Sequence, residues 1–202
     1  MNNIKVDIAI IGAGPGGYVA AIVAAKEGKT VALIERDKAG GTCTNYGCIP
    51  TKAMLASVSV MEELENAKRI GLNVEKVELE FSDVIKHRNR AVTASRKGIE
   101  LLLQKNGVNL IFGNGIISDN KTIIVKDQNG IDIANITYDK LIIATGSTPV
   151  KFPPFDISEV WTSDDIWQIE KLPSSIGIIG GGVIGSEFAT FFCKGWCKCY
   201  NT

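Results

Sequence analysis

Two cysteines, Cys43 and Cys48, stand five residues apart in the segment GGTCTNYGCIPTK, residues 40–52. On a regular helix that separation gives about 7.5 Å of axial rise and side chains on different faces. A disulfide needs Cα atoms within about 7 Å, so an ideal helix does not close this bridge. A distorted turn does, and Gly47 supplies backbone freedom beside Cys48. Pro50 marks the start of a following helix, which puts Cys48 at or just before its N-terminus. The partial positive charge there favours thiolate over thiol, the form that reacts. No further Cys or His lies at metal-ligand spacing, so no metal is expected. Two buried free cysteines are the plainer alternative; the chemistry open to a closable pair is thiol–disulfide exchange.

The glycines cluster in two places. Gly12-Ala13-Gly14-Pro15-Gly16-Gly17 fits G-x-G-x-x-G at Gly12, Gly14 and Gly17. In that pattern the first glycine permits a tight turn, the second admits a pyrophosphate to the backbone, and the third lets helix and strand pack closely. Glu35 closes the next apolar run, where a carboxylate can accept hydrogen bonds from ribose hydroxyls. The spacing recurs at Gly180, Gly182 and Gly185. Its acidic partner is due about twenty residues after the turn begins; the sequence given stops short of it, so this second site is expected to be half encoded.

These groups need a frame. Residues 6–12 are a β-branched apolar run, the pattern of a strand buried on both faces. A helix of small apolar residues follows over 17–26, with Gly28 at its C-cap, then a second buried strand over 30–35. Strand, glycine turn, helix and strand in about thirty residues make a βαβ unit. Further helices are expected over 50–68 and 82–105, the second burying Val84, Ile85, Val92, Ile99, Leu102 and Leu103. Strands follow over 108–112 and 141–145. Between them, 116–137 reads as an antiparallel meander with turns at Asp119-Asn120 and Asn129-Gly130. A Pro-rich linker covers 148–154, and a second strand–glycine–helix opening begins near Ser174, with its strand over 175–180 and its helix over 183–192.

Composition narrows the function classes. The 202 residues are 45% apolar and 22% charged, with 22 Lys+Arg against 22 Asp+Glu. That is a globular balance with no excess charge to recruit nucleic acid or anionic lipid. The stretch from Ile8 to Ala25 is about the length of a membrane span, but its central glycines and Pro15 break it, so no membrane partner and a cytoplasmic location are expected. Five cysteines, an odd number, argue against a structural disulfide framework. The sole histidine, His87, is expected at the surface or in packing.

GAGPGGYVAA, GGTCTNYGCIPTK, IIATGSTP and GGGVIGSEFA, in this order and spacing, resemble the flavin disulfide reductases, most nearly their dihydrolipoamide dehydrogenase branch. The resemblance implies an α/β fold: a doubly wound Rossmann-like FAD-binding domain with an antiparallel β-meander insertion, over 1–150. A linker over 151–173 and the start of an NAD-binding domain over 174–202 follow. It implies FAD and NAD as cofactors, with Cys43 as the interchange thiol and Cys48 as the thiolate beside the flavin. Lys52 would lie near the flavin's reactive edge, paired with Glu187. Gly12, Gly14, Pro15, Gly17, Glu35, Arg36, Gly41, Thr42, Gly115, Ala144, Thr145 and Gly146 would hold FAD, and Gly180, Gly182 and Gly185 the half-encoded NAD site. The implied partners are a dihydrolipoamide-bearing carrier protein and a second copy of the chain. The family's dimer-forming domain carries the His–Glu pair that handles the thiol proton, and His87 matches no such position. A chain without that domain is expected to be inactive alone. Glutathione- or mercuric-reductase-like chemistry, or a non-catalytic flavin-binding fragment, are the alternatives. The tail CKGWCKCYNT (193–202) has no strand pattern where one is due and is expected to be frameshifted; a C-x3-C-x-C zinc or redox box is its other reading.

Overall fold

The structure, a computed structural model, describes every residue except Met1, Lys76, Asn120, 195–197 and Thr202, and gives only the backbone of 198–201. The chain gathers into two compact units, Met1–Asn45 with Thr93–Thr148, and Tyr46–Val92 with Pro149–Thr202.

The first unit is built on a six-stranded sheet. Its strands are β1 (Asn2–Ile11), β2 (Val31–Glu35), β3 (Asn109–Phe112), β4 (Asn114–Asp119), β5 (Thr122–Lys126) and β6 (Asp132–Ile143), in the order β3-β2-β1-β6-β5-β4. β3, β2, β1 and β6 are parallel, and β6-β5-β4 runs antiparallel. Side chains alternate across the sheet. Ile10 and Leu33 face one core with Ala21 of α1 (Pro15–Lys26) and with Ile99 and Leu103 of α4 (Phe81–Lys105). Ala9 and Ile34 face the other, with Ile123, Val125 and Ile136. Strands covered on both faces need no polar side, which is why β1 and β2 read as continuous apolar runs. Each fully buried Leu or Ile contributes about 1.5–3 kcal/mol.

Two expectations change here. The strand foreseen over 141–145 and the last arm of the meander are one strand: β6 pairs antiparallel with β5 up to Thr137 and parallel with β1 from Ala134 to Ile143. Leu102, foreseen as buried, is 50% exposed, because the buried face of α4 passes through Ile99 and Leu103, one turn apart.

The second unit holds α3 (Cys48–Asn66), the first part of α4, a short 3-10 turn at Asp165–Gln168, β7 (Ser175–Ile178), α5 (Val183–Lys194) and β8 (Lys198–Asn201). Its core joins Met54, Val58, Phe81, Val84, Ile166, Phe191 and Phe192. Phe191 and Phe192 meet edge-to-face at 5.3 Å, and Phe81 lies 6.3 Å from Phe191, a favoured aromatic separation. Residues 198–201, which carry no strand pattern, nevertheless run parallel to β7 with Ile176 opposite Cys199. Of the tail expected to be frameshifted, Cys193 and Lys194 close α5, Cys193 being an exposed free thiol, while 195–197, with Cys197 of the cysteine box, and Thr202 lie outside the described residues. No helix among the described residues is long and apolar enough to cross a membrane.

Candidate functional site

β1 ends into the first glycine turn. Gly12 takes φ +101°, and a Cβ there would stand 2.2 Å from the carbonyl oxygen of Ala144 at the end of β6. Gly17 is more constrained still: a Cβ would sit 1.8 Å from the Gly12 oxygen. Only glycine allows α1 to start this close to the strand. Gly14 caps α1 through its backbone, Pro15 opens the helix, and no side chain or acidic residue occupies its first turn. The helix therefore presents a positive dipole end that no side chain caps, a standard means of holding a phosphate.

A second backbone segment closes on this turn. The Gly40 N–H donates to the Ala13 oxygen at 2.8 Å, and a Cβ on Gly41 (φ +56°) would lie 2.6 Å from Gly14 Cα. Glycine on both sides leaves a cradle of bare backbone that any side chain would fill. Glu35, 8% exposed, ends β2 and stands beside it. Its Oε2 accepts the Ala13 N–H at 2.7 Å and its Oε1 the Asp37 N–H at 2.9 Å. Each carboxylate oxygen keeps a further lone pair for a ligand hydroxyl. Its backbone oxygen accepts from Gly113 at 2.8 Å, which brings the β3–β4 corner alongside, while Gly115 packs over Ile34 and Ile11. Arg36 and Thr42 are exposed, Ala144 is half-buried, and Thr145 and Gly146 (φ +74°) are exposed beyond β6. The residues present fit a dinucleotide in this cradle.

The segment leaving Gly41 forms a five-residue helix, α2 (Gly41–Asn45), then breaks at Tyr46 and Gly47 before α3 begins at Cys48. Cys43 and Cys48 are joined as a disulfide across this break. It is the distorted turn the spacing demands. Asn45 ties down its first half, its Nδ2 donating to the oxygens of Ala39 and Gly41 at 3.0 Å each. Thr51 ties the second, its N–H and hydroxyl donating to the Gly47 oxygen at 3.0 and 2.6 Å. Cys48 is exposed and opens α3.

Within the second unit, the Lys52 ammonium donates to Glu187 Oε1. The second glycine turn repeats the first: Gly180 again takes φ +101°, and a Cβ on Gly185 would stand 2.1 Å from the Gly180 oxygen. A Cβ on Gly181 or Gly182 would meet nothing within 4 Å. His87 is exposed on α4. No group of three His, Cys, Asp or Glu among the described residues is placed to hold a metal.

Three residues near the turn were not foreseen. The Trp167 indole N–H donates to the Tyr46 oxygen at 2.7 Å, and Arg88, buried, places its guanidinium 5.8 Å from the Trp167 ring centre. Arg88 lies on the α4 stripe of Phe81 and Val84, so its spacing was the available signal. Asn45 fell inside a motif read for its cysteines. Trp167, 121 residues from its partner, carried no local signal.

The sequence profile of the pyridine nucleotide-disulphide oxidoreductase family matches residues 6–200. The dihydrolipoyl dehydrogenase of Chlamydia pneumoniae is 42% identical over 188 residues, covering 92% of this chain and 40% of that protein. That of Bacillus subtilis (strain 168) is 36% identical over 191 residues, 93% of this chain and 41% of that protein. Among solved structures, the Cu(II) complex of the HOCl-induced flavoprotein disulfide reductase RclA from Escherichia coli superposes with a TM-score of 0.81 at 30% identity, over 100% of this chain and 42% of that one. The chain spans about two fifths of the length of the curated relatives it matches.

Proposed function

The chain belongs to the pyridine nucleotide-disulphide oxidoreductase family, and from that premise we propose that it is the FAD-binding and redox-disulfide part of a dihydrolipoamide-oxidising enzyme. Residues 1–150 would bind FAD, and 174–202 would open the NAD-binding domain. The observation that carries this reading is the Cys43–Cys48 disulfide in the segment whose Gly40 and Gly41 pack on the Ala13–Gly14 turn.

The roles divide by position. The α1 amides and the bare backbone at Gly12, Gly14 and Gly41 would hold the pyrophosphate, and Glu35 would accept the ribose hydroxyls. Arg36, Thr42, Gly115, Ala144, Thr145 and Gly146 would line the rest of the FAD site. A dithiol thiolate would attack Cys43, breaking the Cys43–Cys48 bond and releasing Cys48 as thiolate at the positive end of α3. The substrate's second thiol would then displace Cys43, leaving substrate disulfide and two protein thiols; two electrons and two protons have moved. Lys52, four residues beyond Cys48 on the same helix face, would favour its anionic form, with Glu187 holding the ammonium in place. When bound, FAD supplies an acceptor for that electron pair and NAD+ a hydride acceptor. The parent enzyme would act as a homodimer on a lipoyl-bearing carrier protein.

Anaerobic two-electron reduction of the FAD-reconstituted chain, followed in the visible, tests the reading. A long-wavelength band appearing at two electrons supports it. A chain that stays colourless under excess FAD, or bleaches without that band, overturns it.

A further inference from the structure

We propose that Trp167 is a positioning residue for the redox disulfide, fixing the backbone on the N-terminal side of Cys48 through the Tyr46 carbonyl. The inference rests on the Cys43–Cys48 pair cycling as set out above.

Two carbonyls immediately precede Cys48, and both are held from outside the turn. Gly47's accepts from Thr51, one turn into α3. Tyr46's accepts the Trp167 indole N–H at 2.7 Å. The Thr51 contact moves with α3, whereas Trp167 belongs to a different element, so its bond ties the turn to the rest of its unit. That element is itself braced: the Thr162 N–H and hydroxyl donate to Asp165 Oδ2 at 2.6 and 2.9 Å. The indole ring is gripped on its faces and edges. Phe188 of α5 meets it at 5.7 Å and 60°, and the Arg88 guanidinium lies over it, a cation–π contact strengthened by the burial of Arg88. Phe188 adjoins Glu187, the partner of Lys52. One side chain thus ties α4, α5 and the redox turn together.

The consequence is thermodynamic. Freezing the Tyr46 carbonyl lowers the entropy of the open, reduced turn and keeps the two sulfurs at high effective concentration. The anchor therefore favours the disulfide over the dithiol. Losing one such hydrogen bond changes an equilibrium about fivefold.

The test is a glutathione redox titration of the full chain, with differential alkylation and mass spectrometry of the peptide carrying Cys43 and Cys48. Trp167→Phe keeps a ring and removes the N–H. It is expected to half-reduce at a reduced-glutathione excess about fivefold lower than wild type, while Trp161→Phe titrates as wild type. Should W167F unfold, biosynthetic 3-benzothienylalanine in a W161F/W196F background replaces the N–H by sulfur at full ring size, and the same shift is expected. Midpoints within twofold of the matched parent, in whichever of the two proteins is folded, overturn the positioning role. A wild-type disulfide that no glutathione ratio reduces overturns the redox reading itself, and this inference with it.

Discussion

The Ala13 amide donates to Glu35 Oε2 at 2.7 Å across 22 residues of sequence, in a buried setting. The carboxylate at the end of β2 therefore shapes the glycine turn before any ligand arrives. Its other oxygen takes the Asp37 amide, so both oxygens hold backbone. Glu35→Gln replaces one acceptor by an NH2 facing an N–H donor, and is expected to cost about 1–3 kcal/mol. Urea unfolding of the two proteins measures it. A difference under about 0.5 kcal/mol, the usual size for an inconsequential surface change, would show that the turn holds its shape without this carboxylate.

Neighbouring glycines in one motif are expected to behave differently. A Cβ on Gly17 would lie 1.8 Å from the Gly12 oxygen, whereas one on Gly16 meets nothing within 4 Å. Gly17→Ala must push α1 off β1, at about 3 kcal/mol or more. Gly16→Ala should be neutral or gain up to about 1 kcal/mol from helix propensity. Denaturation midpoints of the two variants, measured side by side, separate the positions; equal midpoints would mean that the close approach is absent.

Much of this site was legible because it rests on local rules. Glycine spacing, β-branched runs and Pro50 each act within a few residues, and they locate the turn, β1, β2 and the start of α3. What was not legible depends on partners distant in sequence. β6 was read as parts of two elements, with Asp139 and Lys140 interrupting its apolar pattern, yet β1 pairs with it from Ala134 to Ile143. Lys198–Asn201 has no strand pattern and is drawn into pairing by β7. Arg88 was not singled out although its place on α4 follows Phe81 and Val84, and the Trp167 bond to Tyr46 has no local trace at all.

Midway along β1, Asp7 meets Thr30 at the entry of β2 in a pH-dependent clasp. Asp7 Oδ2 accepts from the Thr30 N–H and from its hydroxyl, each at 2.7 Å, and Thr30 Oγ1 accepts the Asp7 N–H at 2.9 Å. The Thr30 backbone N–H, then its hydroxyl, hold the Asp7 carboxyl below its usual 3.8. A depressed carboxyl contributes stability that is present above the unfolded value and lost as pH falls through the folded one. Thr30→Val should therefore be less stable than wild type near neutrality, with the gap narrowing below about pH 4. Thermal melts across that range check it; a gap that stays constant from pH 7 to pH 3 refutes the hydroxyl's part in the clasp.

Lys52 and Glu187 pair with side chains 60% and 24% exposed, so their ion pair is expected to matter more to sulfur chemistry than to folding. Exposed pairs contribute about 0–1 kcal/mol, and Glu187→Gln should shift unfolding by no more than that, less again in 1 M salt, where screening acts over about 3 Å. Cys48 and Lys52 stand four apart on α3 and share a face. On the proposed roles, the Lys52 ammonium would stabilise the Cys48 thiolate in the reduced protein, and Glu187 would partly neutralise that ammonium. Lys52→Met should slow alkylation of Cys48 at pH 7 severalfold, while Glu187→Gln should hasten it, a pair of opposite effects that a general loosening of the fold does not produce. Iodoacetamide rates resolved by peptide mapping decide the matter, and equal rates in both variants would remove Lys52 from any electrostatic role at the sulfur.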